Sequence, residues 1–273
     1  MSNNLDIVFI NPNNSTQVYQ KLSSKFSAVE PPTWSLLLAQ SCRSKGFSSN
    51  IIDANAENID DSEIYERIKK LNPKYICFVV YGQNVNSGTT NMAGATRTSN
   101  FLKLKDKNLK IIYIGSHVQA LPVETIKLEK SIDIICTNEG VYTLHNLLKL
   151  EQFNHSSLRN IKGIVFIDEN NQIIFNDPEQ LVPQDKMDTD LPGYAWDLLP
   201  YKKKPFDLYR SPFWHAGYLD ENRSPYAAIQ TSLGCQFRCD FCMINIVNRT
   251  DKEEIGVASN YSKMRFWSPE FII

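Results

Sequence analysis

Through the first 150 residues, short apolar runs alternate with stretches whose apolar residues recur at helical spacing. Leu5-Asp6-Ile7-Val8-Phe9-Ile10 predicts a strand that stops at Asn11-Pro12. Residues 31–46 predict a helix, with two prolines at its start, Trp34, Leu37, Leu38 and Cys42 along one side, and Gly46 as its stop. Residues 49–53 predict a second strand. Residues 60–71 predict an amphipathic helix carrying Ile64, Ile68 and Leu71 at helical spacing. A β-branched and aromatic run at 75–81 predicts the third strand, and 92–104 a helix. Residues 110–114, closed by Gly115, predict the fourth strand, 132–136 the fifth, and 141–150 the helix after it. Strands separated by helices imply a parallel sheet covered on both faces, a doubly wound, Rossmann-like α/β domain. Ligands of such sheets bind beyond the carboxyl ends of the strands. Here those ends are Asn11, residues 53–57, residues 82–86, Gly115-Ser116-His117 and Thr137-Asn138-Glu139-Gly140.

The periodicity changes after residue 150. Residues 151–225 predict a connector. Within it, Gly163-Ile164-Val165-Phe166-Ile167 and Gln172-Ile173-Ile174-Phe175 flank Asp168-Glu169-Asn170-Asn171, a β-hairpin signal. A path rich in proline and aspartate follows, with Trp196, Tyr201 and Phe206 as expected anchors on a neighbouring domain and Lys202-Lys203-Lys204 as a solvated face. From Tyr226 the apolar run Tyr226-Ala227-Ala228-Ile229-Gln230 predicts a strand, followed by a loop and then a helix.

Composition narrows the picture. The chain has 273 residues, 42% of them hydrophobic, and a net charge of −1. It can hold one to three domains, and it lacks the basic field that nucleic acid would require. The polar start, Met1 to Asp6, is unlike a signal peptide, and no apolar run is long enough to span a bilayer. Three of the six cysteines, Cys42, Cys77 and Cys136, are scattered in apolar surroundings and read as core thiols. That usage fits a reducing, cytoplasmic setting better than a disulfide framework.

The other three are clustered in Cys235-Gln236-Phe237-Arg238-Cys239-Asp240-Phe241-Cys242, a C-x3-C-x2-C array directly after Gly234. Three thiolates on one loop can hold three irons of a cubane cluster and leave the fourth open to an outside ligand. Zinc is the competing metal, but structural zinc wants four protein ligands, and here the second pair is missing. No thiol follows Cys242, and the nearest histidine upstream is His215. The plainest alternative is three small apolar residues packed in a core.

The octet and the apolar run before it resemble the radical S-adenosylmethionine (SAM) enzymes, whose C-x3-C-x-aromatic-C pattern is complete at these positions. The α/β domain ahead of it is similar to the cobalamin-binding domain of the cobalamin-dependent radical SAM class. Ile114-Gly115-Ser116-His117 followed by Leu121-Pro122 looks like the class's Gly-Gly-x-His segment, with Ser116 in place of the second glycine. Asp133 to Gly140 looks like its D-x-V-x-x-G-E-G segment, with Asn138 in place of glycine. Asp53-Ala54-Asn55-Ala56-Glu57 stands where many cobalamin domains carry D-x-H-x-x-G, and lacks the histidine. Arg265-Phe266-Trp267-Ser268-Pro269-Glu270 resembles an R-x-R-S-P-E segment leading into the first barrel helix, with Trp267 where arginine is usual.

The resemblance implies three parts: a cobalamin-binding-like domain at 1–150, the connector at 151–225, and the opening of a radical SAM partial (β/α) barrel at 226–273. It implies that Cys235, Cys239 and Cys242 ligate a [4Fe-4S] cluster, that the open iron takes SAM, and that Phe241 lies against the adenine. Gly234 allows tight backbone geometry before the first thiol. It also implies cobalamin over the strand ends, touched by Gly115, Ser116, Asn138, Glu139 and Gly140, with His117 at the cofactor's edge or simply a surface histidine. The activity implied is reductive cleavage of SAM, commonly followed by methyl transfer through cobalamin. An electron donor such as flavodoxin or ferredoxin is the implied partner, and the substrate is not legible. The residues after Tyr226 are far fewer than a barrel of about 250 residues requires, so the chain is expected to be an N-terminal portion, inactive by itself. The rivals are a cobalamin-independent radical SAM enzyme, a methylthiotransferase with a second three-cysteine cluster, and a non-enzymatic zinc or cofactor-binding module.

Overall fold

The computed structural model describes residues 4–22, 29–81, 88–203, 208–209, 227–237, 239, 241–242 and 264–272. Phe206, His215, Tyr226, the 82–86 loop and the helix expected after Cys242 lie outside them. The first half holds β1 (Ile7–Asn11), α1 (Thr33–Ser44), β2 (Ser49–Asp53), α2 (Asp61–Leu71), β3 (Tyr75–Val79), α3 (Thr89–Lys105), β4 (Ile111–Ile114), α4 (Ser116–Ala120), α5 (Pro122–Leu128), β5 (Ile134–Cys136) and α6 (Val141–Leu148), all as the apolar pattern predicts except α4 and α5, which it did not reveal. Local chemistry sets the boundaries. Asp60 accepts the Glu63 N–H at 2.8 Å to start α2, and Asn72 ends it in the left-handed conformation.

The strand order is β2-β1-β3-β4-β5, all parallel, with Ile7 beside Ser49 on one side and Tyr75 on the other. The chain's direction of travel across the sheet therefore switches between β1 and β3. Alternate strand residues feed two cores. Ile7, Phe9 and Cys77 join Leu36, Leu37 and Leu144 on one face. Val8, Ile10 and Phe78 join Ile64, Leu102 and Ile126 on the other. Burial on both faces explains why the strands read as continuous apolar runs. Each such side chain contributes about 2 kcal/mol of transfer free energy.

The hairpin of the segment read as a connector forms as β6 (Ile164–Ile167) and β7 (Ile173–Phe175), and it continues this sheet. β6 pairs antiparallel with β5, so the sheet has seven strands and extends past residue 150. Asp168 organises the turn by accepting the Asn170 and Gln172 N–H groups and the Arg159 guanidinium. The chain then crosses the first core, burying Val182, Met187, Leu191, Ala195 and Leu199, with Trp196 and Tyr201 packed against it.

One expectation is corrected. Residues 227–230 form no strand. The Tyr194 hydroxyl accepts the Gln230 N–H at 2.6 Å and donates to its carbonyl at 3.0 Å, using the backbone groups a ladder would need. The strands near the cysteine loop are instead β8 (Ser232–Leu233) and β9 (Arg265–Phe266), an antiparallel pair followed by α7 (Pro269–Ile272). A barrel's strands are parallel, and among the described residues past 226 no parallel pair is present. Among the described residues no helix is long and apolar enough to cross a membrane.

Candidate functional site

The carboxyl ends of the parallel strands come together around the switch point. At the end of β2, Asp53 is fully buried and accepts hydrogen bonds from Asn11 Nδ2 (2.8 Å), the Ala56 N–H (3.1 Å) and the Tyr209 hydroxyl (2.8 Å). Burial outweighs these bonds and pushes its pKa up to about 6. Beyond β3, Tyr81 packs against Trp34 with ring centroids 5.5 Å apart, and its hydroxyl accepts from Gln119 Nε2 at 3.1 Å.

Gly115 ends β4 at φ +153, where a Cβ would stand 2.2 Å from the Val80 carbonyl oxygen. Only glycine permits this approach of two backbones. Ser116 is fully buried and sits against Gly88, whose missing Cβ leaves room for the serine oxygen; that Cβ would lie 2.0 Å from it. His117 is half-buried, with Nδ1 2.9 Å from the Thr89 hydroxyl, and burial lowers its pKa.

After β5, Asn138, Glu139 and Gly140 form a buried turn. Asn138 Nδ2 donates to the Glu179 carbonyl at 2.6 Å and its Oδ1 accepts the Gly140 N–H at 3.0 Å. The Glu139 carbonyl accepts Trp34 Nε1 at 3.2 Å, and its carboxylate is gripped by Arg265. Gly140, at φ +82, lies against Ile114. The structure thus brings Gly115, Ser116, Asn138, Glu139 and Gly140 to one edge of the sheet, with the Asn138 and Glu139 side chains already engaged by protein partners.

Three polar atoms at or beside these strand ends, Asn55 Oδ1, Ser116 Oγ and Gln119 Oε1, are buried without a hydrogen-bond partner among the described residues. Each such atom costs about 1–3 kcal/mol unless a ligand or water meets it. Orphaned hydrogen-bonding groups at the strand ends suit a large ligand fringed with amides, as cobalamin is. Asn55 stands at the histidine position of D-x-H-x-x-G, and its carboxamide belongs to this orphaned set. Gly88, Gln119 and Tyr209 were not singled out by sequence reasoning. Their roles come from contacts between distant segments, for which no local pattern exists.

The cysteine loop is built differently. Gly234 takes φ +89, which supports its reading as a backbone requirement. Cys235 and Cys242 are half-buried and Cys239 exposed, and Phe241 is 80% exposed. The Cys242 N–H donates to the Cys239 carbonyl at 2.9 Å, and the Phe237 N–H to Cys235 Sγ at 3.4 Å. Among the described residues no three His, Cys, Asp or Glu side chains are gathered closely enough to hold a metal. The donor set still fits an iron–sulfur cluster: three free thiols within one short loop, none locked in a core. Cys42, Cys77 and Cys136 are buried in the first core, as read, and burial pushes all three thiols up, Cys136 to about 12.

Fold and site together define a doubly wound domain whose strand-end loops gather glycines and buried polar groups at one edge of the sheet, followed by a thiol loop. Residues 20–148 match the B12 binding domain family. The chain is 27% identical over 213 residues to the uncharacterized methyltransferase PH0819 of Pyrococcus horikoshii, covering 78% of this chain and 40% of that protein. Its fold is shared with the cobalamin-dependent SAM radical enzyme OxsB, bound to aqua-cobalamin and SAM, at a TM-score of 0.60 and 18% identity over 87% of this chain and 28% of that one. It is shared with the radical SAM methyltransferase TsrM from Kitasatospora setae, bound to cobalamin and a [4Fe-4S] cluster, at a TM-score of 0.59 and 12% identity over 100% of this chain and 44% of that one. The resemblance to cobalamin-dependent radical SAM enzymes is borne out, as is the Rossmann-like fold. The chain spans less than half the length of each of these relatives.

Proposed function

We infer that this chain is the cobalamin-holding part of a radical SAM enzyme and carries its cluster-binding loop. The observation that carries this reading is the set of orphaned polar atoms at the strand ends, on Asn55, Ser116 and Gln119. Residues 1–150 hold cobalamin. Gly115 and Gly140 offer backbone to the corrin, Ser116 offers its hydroxyl, and Asn138 and Glu139 contribute through the backbone they shape. Asn55, at the histidine position of D-x-H-x-x-G, would offer a carboxamide oxygen to the cofactor where an imidazole is usual. Among the described residues of 151–225, residues 151–203 and Tyr209 brace the crevice from one face, and 226–273 begin the radical SAM part.

Cys235, Cys239 and Cys242 ligate a [4Fe-4S] cluster, Gly234 sets the turn before them, and exposed Phe241 is available to stack on adenine. When bound, the cluster and cobalamin supply electron transfer to SAM and methyl transfer to a substrate. The protein's own part is to hold thiolates at fixed spacing and to keep buried donors and acceptors facing the corrin. Six free thiols suit a reducing compartment such as the cytoplasm and an electron donor of flavodoxin or ferredoxin type.

The test is the metal, sulfide and corrinoid content of anaerobically reconstituted protein beside a Cys235/Cys239/Cys242→Ala variant. About four irons and four sulfides per chain, lost in the variant while cobalamin is retained in both, is the expected result. Zinc without sulfide would overturn the radical reading. Iron and sulfide without affinity for cobalamin would leave a cobalamin-independent enzyme.

A further inference from the structure

Glu139 and Arg265 are 126 residues apart in the chain and form a two-pronged ion pair closed off from solvent. Arg265 Nη1 and Nη2 reach Glu139 Oε1 and Oε2 at 3.2 and 2.8 Å, and the side chains are 8% and 2% exposed. Val182 completes the knot. Its N–H donates to Glu139 Oε1, and its carbonyl accepts Arg265 Nη1 at 2.6 Å. Glu139 belongs to the loop after β5. Arg265 lies in β9, opposite Leu233 of β8, and Gly234 and Cys235 follow Leu233 directly.

This arrangement makes a short path. Two residues of chain span at most about 7 Å, so the first thiol of the loop is held close to β9, and β9 is held to the crevice. Neighbouring bonds keep the segment seated. Gln184 exchanges hydrogen bonds with both backbone groups of Phe266 at 2.8 Å, and Trp267 Nε1 donates to the Leu191 carbonyl at 2.8 Å. The Ser268 N–H donates to Asp188 Oδ1 at 3.0 Å.

Burying two charges is a poor route to stability, because apolar residues of similar volume often do as well. What the pair adds is orientation. A guanidinium fork on a carboxylate fixes direction as well as distance, which a lysine or an apolar contact does not. We propose that Glu139 and Arg265 are positioning residues whose buried ion pair sets the cysteine loop in register with the strand-end crevice. The proposal rests on the function inferred above for what it aligns, though the tie itself is independent of any cofactor.

The experiment has two arms, using Glu139→Gln, Arg265→Lys and the double variant Glu139→Gln/Arg265→Gln. The first is hydrogen exchange on the cofactor-free chain. Each single variant is expected to raise exchange at 232–242 about a hundred-fold while β1 to β5 stay protected, because it breaks a buried pair. The double variant, an uncharged amide pair, is expected to recover most of that protection. The second arm is electron paramagnetic resonance of protein loaded with cob(II)alamin and the reduced cluster. A single dipolar coupling is expected in the wild type and the double variant, and a broadened distribution in the single variants. Unchanged exchange at 232–242, or an equal rise throughout the sheet, would overturn the proposal. A wild type that loads neither cofactor overturns the functional reading instead, and the exchange arm then decides the tie alone.

Discussion

The strand-end loops and the cysteine loop are built in opposite ways. Around the crevice, Asp53, Ser116, Gln119, Asn138 and Glu139 are each at most 2% exposed, and Asp53, Gln119, Asn138 and Glu139 each bond a partner far away in the chain. The cysteine loop is half-buried or exposed, and its described contacts are local hydrogen bonds between neighbours. The difference fits the two ligands proposed for them. A large organic ligand gains affinity from a pre-shaped surface, so the protein carries the shape beforehand. A metal cluster supplies its own geometry through strong bonds, so the protein need only deliver ligands at the right spacing.

Breaking a crevice residue should therefore cost stability as well as binding. Gly115→Ala forces a Cβ to 2.2 Å from the Val80 carbonyl oxygen at a backbone angle that alanine resists. We expect a loss of about 3 kcal/mol or more in urea unfolding, with cobalamin uptake abolished. A variant as stable as the wild type would mean that the crevice is not pre-shaped.

The buried interior should also carry a pH dependence of its own. His145 lies 3.0 Å from the Ser41 hydroxyl, and burial holds its pKa at about 4, with Lys45 and Lys149 adding to the effect and Asp190 opposing it. It is neutral when folded, so the unfolded chain binds the extra proton between about pH 4 and 6.5, and stability falls as pH drops through that window. Asp53 has the opposite sign. Its pKa is raised to about 6, so its contribution is present in acid and is lost as pH rises from about 4 to 6. Each is worth up to about 3 kcal/mol, and in the wild type they largely cancel. His145→Gln should leave a stability that falls with rising pH over this range, and Asp53→Asn one that rises. Parallel profiles in the two variants would contradict these assignments. They are read from urea midpoints at pH 4, 5 and 6.

The smallest expected change is at the other region. Cys239→Ala should alter the unfolding free energy by less than about 0.5 kcal/mol, because the side chain is exposed. The same variant should fail to hold a full cluster, as iron analysis would register. A large loss of stability would mean that the loop is packed as tightly as the crevice.

The same contrast explains what could be read in advance. The strands β1 to β5 and the helices α1, α2, α3 and α6 were legible because a strand buried on both faces needs an unbroken apolar run and a covering helix needs an apolar stripe; the short α4 and α5 were not. The thiol array was legible because its three cysteines lie within eight consecutive residues. The hairpin was legible as a hairpin, but not its place as β6 and β7 on the same sheet, since nothing local distinguishes a free hairpin from one that pairs with β5. The run at 227–230 has a strand's composition, but Tyr194 occupies the backbone groups of Gln230. Glu139 was singled out for a motif resemblance, but its carboxylate faces Arg265, a partner no spacing rule could supply.

The amino-acid order by itself determined the alternation of strands and most helices, the apolar runs and stripes that feed a two-faced core, and the three thiols on one loop. All of these are set by interactions between residues near one another in the chain. Only the tertiary structure decided the seven-stranded extent of the sheet, the orphaned polar edge of the crevice, the opposed titrations of Asp53 and His145 and the tie from Glu139 to Arg265. Each of these depends on which distant segments are pressed together and how much water is excluded between them, and neither is written in any local pattern of residues.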